Sequence, residues 1–141
     1  MTIIERIADE LARISPNTTI YTENQPNGFD EPCFFIGRAG NTTLKPELFD
    51  YEVRKMPFQV VYFPPEENAN ESLDEMEVLL MDNLTVLPDF AYLRNREFNI
   101  DTNEHTLTCE FDLVLRMYKP DLSPKQRSLD LNARTNGNNR E

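Results

Sequence analysis

The sequence predicts an α+β fold: an antiparallel-rich mixed sheet packed against an N-terminal helix and a second, central helix, with a C-terminal β-hairpin. Three observations carry this expectation. Apolar residues recur at steps of three and four near the N-terminus and again over residues 73–87, they alternate at steps of two over residues 108–118, and turn formers separate these stretches. A chain of 141 residues fits one domain. Residues 1–119 are expected to form it, and residues 120–141 to be a polar tail.

In TIIERIADELARI, residues 2–14, Ile4, Ile7, Leu11 and Ile14 share one helical face. Thr2 and Glu5 fit a capping box, in which each side chain satisfies the other's backbone N–H, and Ser15-Pro16 marks the exit. The polar face mixes both signs of charge, which suits a helix on a sheet better than one on an anionic membrane. A short strand is expected at Thr18–Thr22, then the turn-rich NQPNGFDEP, then a strand at Cys33–Arg38. Residues 41–49 read as a polar loop around Pro46.

Asp50–Phe63 is the next extended segment. Tyr51 and Val53 share one parity and Met56, Phe58, Val60 and Tyr62 the other, implying a bulge near Arg54–Pro57. At about 3.3 Å per residue it would span on the order of 45 Å, so either Pro57 divides it or part of it projects as an arm. Pro64 and Pro65 offer no N–H to a ladder and stop it. Ser72 and Glu75 form a second capping box opening the central helix, whose stripe of Leu73, Met76, Leu80, Leu84 and Leu87 is closed by Pro88. In TCEFDLVLRMY, Cys109, Phe111, Leu113, Leu115 and Met117 alternate with their neighbours, as Phe98 and Ile100 do upstream. Pairing Ile100 with Leu107 sets Phe98 opposite Cys109 and leaves residues 102–105 as the hairpin loop. Beyond Pro120 the composition is polar, and the tail is expected to be mobile in the free subunit.

Charge narrows the function. The net charge of −11 disfavours duplex DNA binding through phosphates. Between Lys55 and Arg94 no basic residue occurs, while eight acidic ones do, so one surface should be markedly negative. No window approaches the roughly 18 apolar residues that cross a bilayer, and the charged N-terminus is unlike a signal peptide, so no membrane partner is expected.

Catalytic patterns are sparse. The single histidine, His105, falls at a hairpin tip without an oriented partner. Cys33 and Cys109 read as small buried hydrophobes, being unpaired by spacing and short of histidines for zinc. Four glycines leave little from which to build a phosphate-cradling loop. Asp101, Asn103 and His105 begin like a calcium loop, but Thr106 stands where the turn glycine belongs. No catalytic, metal or cofactor site is expected.

Two stretches, EPCFFIGRAG at 31–40 and RKMPFQVVYFPPEEN at 54–68, are similar to the phage and prophage tail terminator (tail completion) family of Gram-positive hosts. Pro32–Ile36 and Phe58–Pro64 carry the resemblance, which covers roughly residues 1–118; Met56-Pro57 departs from the usual aromatic-containing pair. The resemblance implies a structural, non-enzymatic virion protein: a ring of self-associated subunits, usually six, on the head-proximal end of a tail tube. It implies contacts with the tube protein and head-completion or neck proteins, with the tail sheath as a further candidate, and assembly in the host cytoplasm. DNA would pass through without specific binding. In that frame the loop residues Arg38, Leu44, Lys45, Leu48 and Phe49 are candidates for a subunit or partner interface, and Glu66, Glu67, Glu71, Asp74 and Glu75 for an acidic bore or partner surface. The rival reading is an acidic inhibitor or DNA mimic bound to a basic partner; a small enzyme is a third, with no site to nominate.

Overall fold

The structure is a computed structural model and describes residues 1–22 and 28–120. Residues 23–27 of the turn-rich stretch, and the tail from residue 121 with its expected mobility, lie outside the described residues. Two helices, α1 (Ile3–Ile14) and α2 (Ala69–Asn83), accompany strands β1 (Thr19–Tyr21), β2 (Cys33–Arg38), β3 (Thr43–Pro46), β4 (Tyr51–Phe63), β5 (Val86–Leu87), β6 (Ala91–Asp101) and β7 (Thr106–Tyr118). A 3₁₀ turn, Leu48–Asp50, precedes β4. The sheet order is β1-β2-β4-β7-β6-β5, and β3 pairs with β4 off this path. β1 runs parallel to β2, while β2 with β4, β5 with β6 and β6 with β7 are antiparallel. The α+β fold is therefore the expected one.

Contacts divide the chain into two compact units, Met1–Thr43 with Arg54–Leu115, and Leu44–Val53 with Arg116–Glu141. The first holds the core. Ile7 and Leu11 of α1, Leu73 and Leu80 of α2, and Phe34, Phe58, Phe111 and Leu113 of the sheet form one cluster that excludes water almost completely. Each such side chain contributes about 1.5–3 kcal/mol on leaving water.

Local chemistry explains the boundaries. At α1 the Thr2 hydroxyl accepts from Glu5 N–H at 3.1 Å and Glu5 Oε1 accepts from Thr2 N–H at 2.7 Å, the expected box. The hairpin has the expected register, Phe98 opposite Cys109 and Ile100 opposite Leu107. Its loop is closed by Asp101, whose Oδ1 accepts from the N–H groups of Asn103 and Glu104 at 2.9 and 3.0 Å. That carboxylate is thereby committed to the turn.

Two expectations are corrected, and one of two alternatives is excluded. The central helix begins at Ala69 rather than at Ser72: Asn68, left-handed at φ 58, is the N-cap without a side-chain bond, and its carbonyl accepts from Ser72 N–H at 2.9 Å. Asparagine tolerates that conformation, so the helix starts as soon as the double proline has turned the chain. Pro57 does not divide β4, because β2's ladder ends at the Arg38–Phe58 pair and the Pro57 carbonyl still accepts from Ala39 N–H at 3.1 Å. Gly40 permits the approach, since a Cβ there would lie 3.2 Å from Pro57 Cγ. Residues 41–49, finally, are not simply a loop but contain β3 and the start of the 3₁₀ turn.

Candidate interaction surfaces

The two motif stretches lie side by side. β2 and β4 pair from Cys33–Phe63 to Arg38–Phe58, so PCFFI and FQVVYFP form one ladder. Phe34 and Tyr62 meet at 5.3 Å between ring centroids, and Phe35, Phe63 and Phe29 form a second aromatic group, with Phe29 4.7 Å from Phe63 and 5.0 Å from Phe35. These motifs build a stiff sheet.

The second unit is different in kind. Leu44, Leu48, Phe49, Tyr51, Met117 and Tyr118 all expose large apolar side chains, Leu48 and Phe49 to 78% and 83%. Phe49 (φ 62, ψ 37) and Asp50 (φ 66) are both left-handed. For a bulky L-residue that conformation costs about 1–2 kcal/mol. The unit holds it by several bonds: Glu47 N–H donates to the Tyr51 carbonyl at 2.8 Å, Lys119 N–H to the Asp50 carbonyl at 2.7 Å, and Arg116 Nε to Glu47 Oε1 at 2.8 Å. The Arg116 guanidinium also lies 4.9 Å from the Tyr51 ring centroid, and Tyr51 meets Tyr118 at 5.3 Å. The result is a braced turn presenting Leu48 and Phe49 to solvent.

Of the interface candidates, Leu44, Lys45, Leu48 and Phe49 belong to this unit, whereas Arg38 belongs to the first. All five are exposed. Arg38 Nη2 donates to the Thr42 hydroxyl at 2.7 Å, and its guanidinium lies 5.1 Å from the Phe58 ring centroid. Tyr51, Met117 and Tyr118 were not among the candidates. Their alternation marked them as strand residues, and nothing local revealed that these strand ends would be left uncovered.

The acidic candidates Glu66, Glu67, Glu71, Asp74 and Glu75 are all exposed. Glu66 and Glu67 join Phe29, Asp30, Glu31 and Pro65 around an open cleft of about 470 Å³. An adjoining hollow of about 390 Å³ adds Glu104 and His105 from the hairpin loop. Glu71, Asp74 and Glu75 line neither. The sequence separates Glu31, Glu66 and Glu104 too widely for their convergence to be read from it.

The thiols are not poised for reaction. Cys33 and Cys109 are free and buried. Burial pushes the Cys33 thiol up to about 11 and the Cys109 thiol up to about 12, the opposite of what a nucleophile needs. Among the described residues no group of three His, Cys, Asp or Glu is placed to hold a metal ion, and no helix is long and apolar enough to cross a membrane.

A stiff aromatic sheet, an apolar turn braced outward and an acidic surface define, as a class, a structural subunit that works through its surfaces. The family model of phage tail terminator proteins matches residues 2–125, and the chain belongs to that family. It is accordingly a structural component of the virion tail, in a non-enzymatic family, and interacts with other tail or head proteins. No curated protein matches the sequence.

Proposed function

We propose that the protein closes into a ring of six copies on the head-proximal end of the tail tube, halts tube polymerisation there and offers the joining surface for head-completion or neck proteins. The observation that carries this reading is the exposed Leu48–Phe49 turn in a unit of little charge. Residues 44–53 and 116–119 hold Lys45, Arg116 and Lys119 against Glu47, Asp50 and Glu52, whereas the rest of residues 1–119 carries 7 basic and 19 acidic side chains. Copies that each carry −11 repel, so they meet most readily where charge balances and apolar surface is available. A closed ring needs heterologous contacts, with this turn as one of the two complementary edges.

The acidic cleft and the first turns of α2 belong on the DNA path in this reading. A negative wall repels the passing phosphates and keeps DNA from adhering. Replacing Glu66, Glu67, Glu71 and Asp74 with Gln should slow DNA passage; unchanged passage and assembly would remove the bore assignment alone.

Tails assembled without the protein test the main reading. Abnormally long tubes unjoined to heads are expected, and Leu48→Asp with Phe49→Asp should fail to correct them. Normal-length tails joined to heads in its absence would overturn it. A soluble monomer bound tightly to a basic partner would instead favour an inhibitor or DNA mimic.

A further inference from the structure

Over most of its length β6 is paired on one side only. β7 takes that side from the Leu93–Leu113 pair to the Asp101–Thr106 pair. On the other, β5 covers Ala91 and Tyr92, and among the described residues no strand pairs there from Arg94 to Asp101. A register shift between Arg94 and Glu97, with Asn95 left-handed at φ 54, blunts the first part of this edge. Glu97–Asp101 beyond it is regular and contains neither Pro nor Lys, residues that commonly protect an edge. In an antiparallel pair alternate residues turn their N–H and C=O groups away from the partner, so this stretch offers half a ladder to an incoming strand. Its Phe98 and Ile100 are half-buried, opposite the fully buried Cys109 and Leu107. The apolar layer is thus unfinished where the ladder is.

Charge at the edge selects what can lie there. Glu97 stands directly opposite Glu110 on β7, an unfavourable cross-strand pair, and both side chains are exposed. Among the described residues neither has an ion-pair partner. An open hollow of about 550 Å³, bounded by Gln59, Glu97, Phe98, Asn99, Thr108 and Glu110, lies beside them and can admit a long side chain. Asp101 and Glu104 add negative charge at the hairpin end. The nearby cations do not offset it: Arg96 Nη1 donates to the carbonyls of Leu80, Met81 and Leu84, and Arg94 lies across the register shift, opposite Asp112. A second copy of this strand fits the apolar parity but not the charge. Antiparallel pairing about Asn99 would set Phe98 against Ile100, but also Glu97 against Asp101 on both sides of the centre.

We propose that Glu97–Asp101 is a docking edge for an extended segment of another tail or head protein, one with basic, apolar, polar, apolar and basic residues in succession. Its apolar pair extends the layer of Phe98 and Ile100, because residues on one face of a sheet stand two apart. Its basic residues fall on the other face, beside Glu97 and Asp101, and relieve the opposition of Glu97 and Glu110. Backbone hydrogen bonds supply the attachment, and the charges supply the choice of partner. The residue order reads alike in both directions, so a parallel or an antiparallel strand fits. Such docking accords with the family's contacts with other tail or head proteins and requires neither a ring nor a bore.

A synthetic peptide, Thr-Lys-Val-Thr-Val-Arg-Thr with blocked ends, tests this on the full-length chain by hydrogen exchange. At saturation in low salt it should slow exchange of the Glu97–Asp101 amides about tenfold or more. Leu107–Leu113, held within the sheet, should be unaffected and so report an intact fold. The same peptide with Glu in place of Lys and Arg, or with Pro in place of the central Thr, should leave the edge unprotected. Glu97→Gln with Glu110→Gln should weaken binding of the basic peptide about threefold or more, and added salt should weaken it in the wild type. Edge amides unchanged by the basic peptide, or protected equally by the acidic one, would overturn the proposal. In assembled tails, Asn99→Cys carrying a benzophenone should crosslink to a basic, alternating segment of another tail or head protein. Crosslinking to a second copy of this chain would overturn it as well. Neither readout depends on tail length or head joining, so this failure would leave the ring reading standing.

Discussion

Arg96 closes the C-terminal end of α2, and replacing it should be costly although the residue is neither apolar nor fully buried. Its Nη1 lies 3.3, 3.0 and 3.1 Å from the carbonyl oxygens of Leu80, Met81 and Leu84 at the helix end, where the Leu80 carbonyl already accepts from Leu84 N–H at 2.9 Å and those of Met81 and Leu84 lie where the helical ladder stops. One guanidinium nitrogen carries two N–H groups, so two of the three contacts at most are full bonds. The Met81 contact is exposed, and water can replace it. A cation at a partly buried helix terminus is worth up to about 2 kcal/mol, and charged hydrogen bonds fall in the same range. The guanidinium also lies 5.7 Å from the Phe98 ring centroid, a smaller contribution. Arg96→Met, which keeps the apolar stem, should therefore lose about 2 kcal/mol in urea unfolding with an unchanged slope, and about 6–10 °C in Tm. Arg96→Lys, which restores the charge and some of the donors, should recover about half of that. Measurements belong at protein concentrations low enough to keep the subunit unassembled. A Met variant within about 0.5 kcal/mol of the wild type, or a Lys variant no better than Met, would refute the assignment of Arg96 as the cap.

Leu80→Ala should destabilise by about 2–5 kcal/mol, read by the same titration, because a fully buried position in close-packed surroundings leaves a cavity. Phe49→Gly should change the stability of the free subunit by less than about 1 kcal/mol, since relief of the left-handed strain offsets glycine's greater unfolded-state entropy. It should nevertheless weaken self-association, measured by light scattering, because an exposed aromatic is lost. Both thiols are raised above their ordinary value of 9.0, so their contribution to stability is full below about pH 9 and declines as pH rises through about 11–12. The variant with Cys33→Val and Cys109→Val should accordingly lose stability less steeply than the wild type over that alkaline range in a pH series of unfolding curves.

The sequence by itself determined what depends on neighbours a few residues apart. The Thr2–Glu5 box, the Cys33–Arg38 strand and the Phe98–Cys109 and Ile100–Leu107 pairs are present as read, because side-chain reach and a period of two fix them locally. The family motif was legible for the same reason, being two short strands. Tertiary structure decided what depends on residues far apart in the chain. It let Pro57 sit within a continuous strand where β2 had ended, and gave α2 a cap from Arg96, thirteen residues beyond its last helical residue. It also gathered Glu31, Glu66 and Glu104 and left Tyr51, Met117 and Tyr118 uncovered beside a strained Phe49. Periodicity can show that a residue is apolar and extended; whether another element arrives to cover it depends on where the rest of the chain has folded.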